Sequence, residues 1–168
     1  MEWNGLAMLS FCGQDKIVID ANGRLKFSPR VISDFENSGG LEVVLHCLPE
    51  RAIAVYPEAV YLQMRKNEAH PAERAAESMV FRRTMRRFGA LSSSEQISQQ
   101  GRITLPPTYR ELAELLPGTE TVVVGCEIGV EIWNYKLWME ELNMINKHLR
   151  EKGDQEMSSD LAGQSGQF

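Results

Sequence analysis

Two arginines follow turn glycines at matching places in this chain, as Gly23-Arg24 and, 78 residues on, Gly101-Arg102. A guanidinium is planar and always charged, and its fork can hold guanine O6 and N7 bidentately or clasp a phosphate, whereas lysine offers a point charge. Glycine accepts positive φ, so a tight turn can sit beneath each arginine, helped in the first copy by Asp20 and Asn22. Lys26 lies two residues past Arg24 and so on the same face of an extended strand. The plainer alternative is that each turn acid pairs with its arginine and the glycine only permits the hairpin. A further basic group, Arg82, Arg83, Arg86 and Arg87, has helical spacing. It reads either as phosphate contact or subunit salt bridging, or as a solvated helix flank.

Other chemistries find little support. His46, His70 and His148 have no ligand-spaced partners, so no metal is expected. Cys12, Cys47 and Cys126 are odd in number and lack CxxC spacing, which argues against disulfides and zinc, and Cys47 and Cys126 read as core. No phosphate-cradling loop or nucleophile elbow is present, which leaves no catalytic residue, cofactor or small-molecule substrate to name. The chain reads as no enzyme. It has no apolar run of about 18 residues and its start reads poorly as a signal peptide, so a cytoplasmic location without a membrane partner is expected.

The net charge of −5 hides an uneven distribution. Residues 1–78 carry −3, residues 79–110 carry +5 and residues 111–168 carry −7. Attraction to phosphate depends on where cations face, so an acidic protein can still present a basic surface.

The elements that must position these residues come in two copies. Asp20-Ala21-Asn22-Gly23-Arg24-Leu25-Lys26-Phe27-Ser28-Pro29 returns as Ser98-Gln99-Gln100-Gly101-Arg102-Ile103-Thr104-Leu105-Pro106-Pro107, and two apolar runs follow each copy. Period two sends Leu25, Phe27, Ile103 and Leu105 inward and Arg24, Lys26, Arg102 and Thr104 outward. Ser28-Pro29 opens a short helix through Val31, Ile32 and Phe35; its counterpart from Pro107 is expected to bury Tyr109, Leu112, Leu115 and Leu116. One unit of roughly 45 residues is too small to bury an adequate core, so strands of residues 16–56 should interleave with those of 95–134. Between the copies, residues 57–90 are helical in pattern with a break near His70-Pro71 and a face of Ala72, Ala76, Met79 and Val80. Trp138, Leu142, Ile145 and Leu149 form a seam suited to a partner helix, Trp133 and Trp138 read as packing anchors, and residues from Gly153 on read as disordered.

The doubled Gly-Arg turn, the arginine-rich helix between the copies and the ending Gly125…Glu131-Ile132-Trp133…Trp138 resemble the MraZ family of bacterial transcriptional regulators over residues 14–150. The resemblance implies a mainly β fold with α-helices: a double swapped-hairpin AbrB-like β-barrel built from SpoVT-AbrB-like repeats at 14–59 and 94–138. A helical linker at 60–91, a C-terminal helix at 139–152 and a disordered tail at 153–168 complete the division. It also implies a ring-like homo-oligomer that binds double-stranded DNA carrying short direct repeats. The family acts on the division and cell-wall gene cluster, so the expected role is a nucleoid-associated regulator, a repressor by expectation, acting also on its own promoter. Two departures stand out. The family pattern would place Pro at 28 and Arg at 32, where this chain has Ser28 and Ile32; the second copy keeps Pro106 and Arg110 but has Ser98 for the turn aspartate. A protein-binding or antitoxin-type module that does not read DNA is the alternative.

Overall fold

In this computed structural model residues 9–66 and 69–165 are described; residues 1–8 of the leading apolar stretch and 166–168 of the expected tail lie outside them. The first copy contributes β1 (Gln14–Ile17), β2 (Arg24–Lys26), α1 (Pro29–Asn37), β3 (Glu42–Leu48) and β4 (Ala52–Pro57). Three helices follow: α2 (Glu58–Arg65), α3 (Pro71–Glu77) and α4 (Met79–Ala90). The second copy then lays down β5 (Ser92–Gln96), β6 (Arg102–Thr104), α5 (Pro107–Leu112), β7 (Thr121–Gly125) and β8 (Val130–Asn134). A long helix, α6 (Tyr135–Ser165), ends the described chain and forms a unit of its own, apart from the unit that ends at Asn134.

Strand pairing runs mostly between the copies. A six-stranded antiparallel sheet has the order β1-β7-β8-β4-β3-β5, and β2 pairs with β6 in a separate two-stranded ribbon. Exchanging the copies reverses this sheet order and leaves it unchanged. The registers obey the same exchange: Gln14 lies opposite Val124 and Ser92 opposite His46, while in the ribbon Arg24 faces Thr104 and Arg102 faces Lys26. The interleaving read from the sequence is therefore present.

The expected barrel is not. Among the described residues β1 and β5 each have one partner, so the sheet keeps two edges. The reason lies in the chain path: β1 and β5 are only four and five residues long, and each is followed by a turn that diverts the chain into the ribbon. Closure is apolar instead. Leu25, Phe27, Ile103 and Leu105 of the ribbon strands and their continuations share one buried cluster with Phe35 of α1, Tyr109 of α5, and Leu45, Val55, Val123 and Ile132 of the sheet.

Helix boundaries follow local chemistry. Ser28 caps α1 by accepting the Val31 N–H, with Pro29 in the first turn. Helix α5 is shorter than its apolar spacing suggests, because Ala113 and Glu114 leave the helix: Tyr109 and Leu115 are buried, but Leu112 and Leu116 are exposed. The linker breaks twice. His70, with φ of 61°, precedes Pro71, and Ser78 turns extended to cap α4 through the Phe81 N–H. That second break splits the expected face, and Ala72, Ala76, Met79 and Val80 are all exposed. Helix α6 runs through Ser165 where disorder was expected; no proline interrupts it, and the two glycines at 153 and 163 are too widely spaced to stop it. Of its expected seam, Ile145 and Leu149 are exposed. Trp133 is buried, as expected of a packing anchor, and its indole donates to Glu131 Oε1 at 3.0 Å. Cys47 is buried, whereas Cys126 is half-buried and its thiol is pushed up to about 11, burial being the main cause. No helix among the described residues is long and apolar enough to cross a membrane.

A buried histidine ties the linker to the sheet. His46 Nδ1 lies 2.8 Å from Ser92 Oγ, which also meets Tyr61 Oη of α2 at 3.0 Å. Phe88 of α4 stacks on the imidazole at 4.7 Å, and Arg65 of α2 lies over the other ring system at 4.1 Å from the Phe88 centroid. Burial lowers the His46 pKa, and the positive charges of Arg87 and Arg65 add to that.

Two outcomes follow from this arrangement. A fragment ending near residue 70 lacks the only partners that β1 and β2 have among the described residues and one partner each of β3 and β4, so circular dichroism and NMR should find no stable native sheet; an independently folded fragment would refute the joint core. His46 resists protonation when folded, while an unfolded imidazole takes its proton near 6.5. Between the two values the unfolded chain binds more protons, so this contribution to stability is full above about pH 6.5 and is lost as pH falls toward the lowered folded value. Thermal melts from pH 8 to 5 should show a steeper decline for the wild type than for His46→Gln.

Candidate nucleic-acid interface

The ribbon is where the sequence-expected cations meet. Leu25 and Ile103 are buried, so strand alternation forces Arg24, Lys26, Arg102 and Thr104 onto the opposite, exposed face. Three cations thus stand on six ribbon residues. The face borders a shallow depression lined by Arg24, Arg102 and Thr104 together with Glu95, Gln96 and Gln100.

Each arginine is delivered by a turn fixed by its own backbone. Gly23 N–H donates to the Asp20 carbonyl at 3.0 Å, and Gly101 N–H to the Ser98 carbonyl at 2.8 Å. Both glycines hold positive φ, 78° and 86°. Their carbonyls then accept from the other copy, Gly23 from Leu105 N–H and Gly101 from Phe27 N–H, which locks each turn to the opposite strand. The side chain four residues before each arginine completes the turn. Asp20 Oδ1 accepts the Asn22 and Arg24 N–H groups, and Ser98 Oγ accepts the Arg102 N–H at 3.0 Å.

The two turns differ in charge. Asp20 Oδ2 also takes Arg24 Nε at 3.1 Å, so the plainer acid-pairing alternative holds in the first copy together with exposure of the arginine. The Arg24 backbone N–H, then that of Asn22 and the guanidinium, hold the Asp20 carboxyl below its ordinary range. Arg102 has no carboxylate in ion-pair range among the described residues.

Arg110, absent from the sequence-derived set of site residues, supports the first turn from behind. Its Nε donates to the Leu105 carbonyl at 3.1 Å, and a Cβ on Gly23 would meet its guanidinium carbon at 2.5 Å. The equivalent neighbour of Gly101 is Ile32. The signal available in the sequence was the family pattern, whose proline and arginine the second copy keeps as Pro106 and Arg110.

The helix arginines form a separate group. They lie on α4, which enters β5 at Ser92, the end remote from the Gly101 turn. Arg83 and Arg86 are exposed, Arg82 donates to the Ala75 carbonyl at 2.8 Å, and Arg87 is half-buried with its charge acting on His46. Solvated flank and anchoring roles therefore coexist along one helix. No group of three or more His, Cys, Asp or Glu among the described residues could hold a metal ion.

Gly23→Ala should cost about 1–2 kcal/mol from left-handed backbone alone, and more once Arg110 must move. Urea denaturation checks this against Gly89→Ala, in open space on α4, which should cause no loss.

Comparison with known proteins places this sequence in a lineage. The family model described as "MraZ protein, putative antitoxin-like" matches residues 93–160. A protein of Moorella thermoacetica named transcriptional regulator MraZ is 32% identical over 145 residues, covering 86% of this chain and 90% of that relative. One of the same name from Desulforamulus reducens is 32% identical over 129 residues, covering 76% and 84%. A third, from Corynebacterium kroppenstedtii, is 32% identical over 89 residues, and the match spans 53% of this chain and 59% of that protein. With about a third of the aligned residues identical along 90% and 84% of the length of the first two relatives, the chain belongs to the MraZ family.

Proposed function

We propose that this chain is a sequence-specific DNA-binding transcriptional regulator whose reading surface is the β2-β6 ribbon. The observation that carries the proposal is the grouping of Arg24, Lys26 and Arg102 on one exposed face of a ribbon pinned at both turns. Rigid presentation matters because a donor fork must be held in place to discriminate a base edge. The names of the relatives favour the same reading. Its finer form is a cytoplasmic, nucleoid-associated repressor of the division and cell-wall gene cluster, its own promoter included. A ring-like homo-oligomer would let linked ribbons engage short direct repeats and raise affinity through effective concentration. The exposed Met79, Val80, Ile145 and Leu149 are available for that assembly.

A protein-binding module is the second reading, favoured by the Asp20–Arg24 pair and the net charge of −5. Gel shifts on the duplex upstream of its own gene, run at two salt concentrations, separate the two. Arg24→Ala and Arg102→Ala should each cost about 1–3 kcal/mol on promoter DNA, roughly 5- to 150-fold in affinity. Arg83→Ala should weaken promoter and scrambled duplexes alike and lower the salt slope by about one. Turn variants that stay folded and bind like the wild type would make these arginines structural.

A further inference from the structure

Asp20 and Ser98 occupy equivalent positions and serve the backbone in the same way, yet they treat the following arginine differently. Asp20 holds Arg24 through Nε, which leaves the two terminal guanidinium nitrogens for another partner. Both side chains of that pair are 46% exposed, so its contribution to stability is small. Its effect is orientation: a long flexible side chain is set in one direction before any ligand arrives, which removes part of the ordering cost of binding. The carboxylate also offsets the charge of Arg24 itself. Arg24 therefore offers directed donors with little long-range pull on phosphate.

The other half of the ribbon has the opposite character. Lys26 and Arg102 are direct cross-strand partners, and like charges in that position repel unless an anion lies between them. The equivalent partner of Arg24 is the neutral Thr104. Beneath the first turn Arg110 packs against Gly23, while Ile32 packs beneath the second. The first half holds its arginine against a carboxylate, with the Arg110 guanidinium behind the turn; the second holds two facing cations with no carboxylate in ion-pair range among the described residues.

We propose that Asp20 makes Arg24 the base-reading arginine of the ribbon, and that the Lys26–Arg102 pair binds a backbone phosphate. The inference rests on the ribbon being a DNA surface and assigns different duties to its halves, so that loss of Arg102 weakens promoter and scrambled duplexes alike while loss of Arg24 weakens the promoter selectively. Asp20 acts here as a positioning residue, since it works through Arg24.

The full chain is titrated by fluorescence anisotropy against the duplex upstream of its own gene and against a scrambled duplex, across a salt series. Asp20→Ser copies the second turn and Lys26→Thr copies the other strand, so each introduces a residue the fold already uses at the equivalent place; thermal melts check folding. Asp20→Ser should reduce the ratio of promoter to scrambled affinity at least fivefold, with scrambled binding equal to or tighter than wild type. Lys26→Thr and Ser98→Asp should leave that ratio within twofold, weaken both duplexes and flatten the salt slope by about one per engaged ribbon. An unchanged ratio in folded Asp20→Ser, or a collapsed ratio in folded Lys26→Thr, would overturn the assignment. Wild-type protein that binds neither duplex would instead remove the DNA reading on which it rests.

Discussion

Neither copy of the repeat can complete its own hydrogen bonding, and every other feature follows from that. β1 finds its partner in β7, β5 in β3, and β2 in β6, so the backbone groups of one copy are satisfied by the other. Buried backbone donors and acceptors left unpaired would be costly, which makes the two copies obligate companions rather than tandem domains. The shared core expresses the same dependence. Phe27 and Leu105 lie at equivalent places and both enter the one cluster of buried side chains.

That dependence also sets the precision of the ribbon. Each turn glycine accepts a hydrogen bond from the strand that belongs to the other turn, so the two arginines are fixed relative to one another by backbone and not by side-chain packing. Side chains could then diverge without loss of geometry. Asp20 became Ser98 or the reverse, Arg110 stands where the first copy has Ile32, and the turns kept the same hydrogen bonds. The basic face of an acidic protein is understandable on these terms, since only six ribbon residues need carry the local excess.

Much of this was legible before any coordinates. Alternation in Arg24-Leu25-Lys26 and Arg102-Ile103-Thr104 gives the exposed face directly, and Ser28-Pro29 gives the start of α1. What escaped depended on distant partners. Spacing predicts burial of Leu112 and Leu116, but that requires α5 to continue past Leu112, and the chain leaves the helix there. Sheet closure could not be judged from apolar runs, because it depends on how long β1 and β5 remain extended before turning. The Asp20–Arg24 pair was foreseen as an alternative to exposure, yet both hold together, since a surface pair one turn from the strand need not be covered. Arg110 was visible as a residue but its target, Gly23, lies in the other copy.

The exchange that returns the sheet to itself is obeyed by the backbone and broken by a few side chains. A ribbon with true two-fold symmetry would fit a duplex equally well after a half-turn, and its natural target would be an inverted repeat. Asp20 against Ser98, Lys26 against Thr104 and Arg110 against Ile32 give this ribbon a head and a tail. Any duplex laid across it meets one end before the other, so a single protomer has a compass sense even though its scaffold has none. Several protomers arrayed with the same heading would match a row of sites written in the same heading, and would meet the reversed row with every donor in the wrong half.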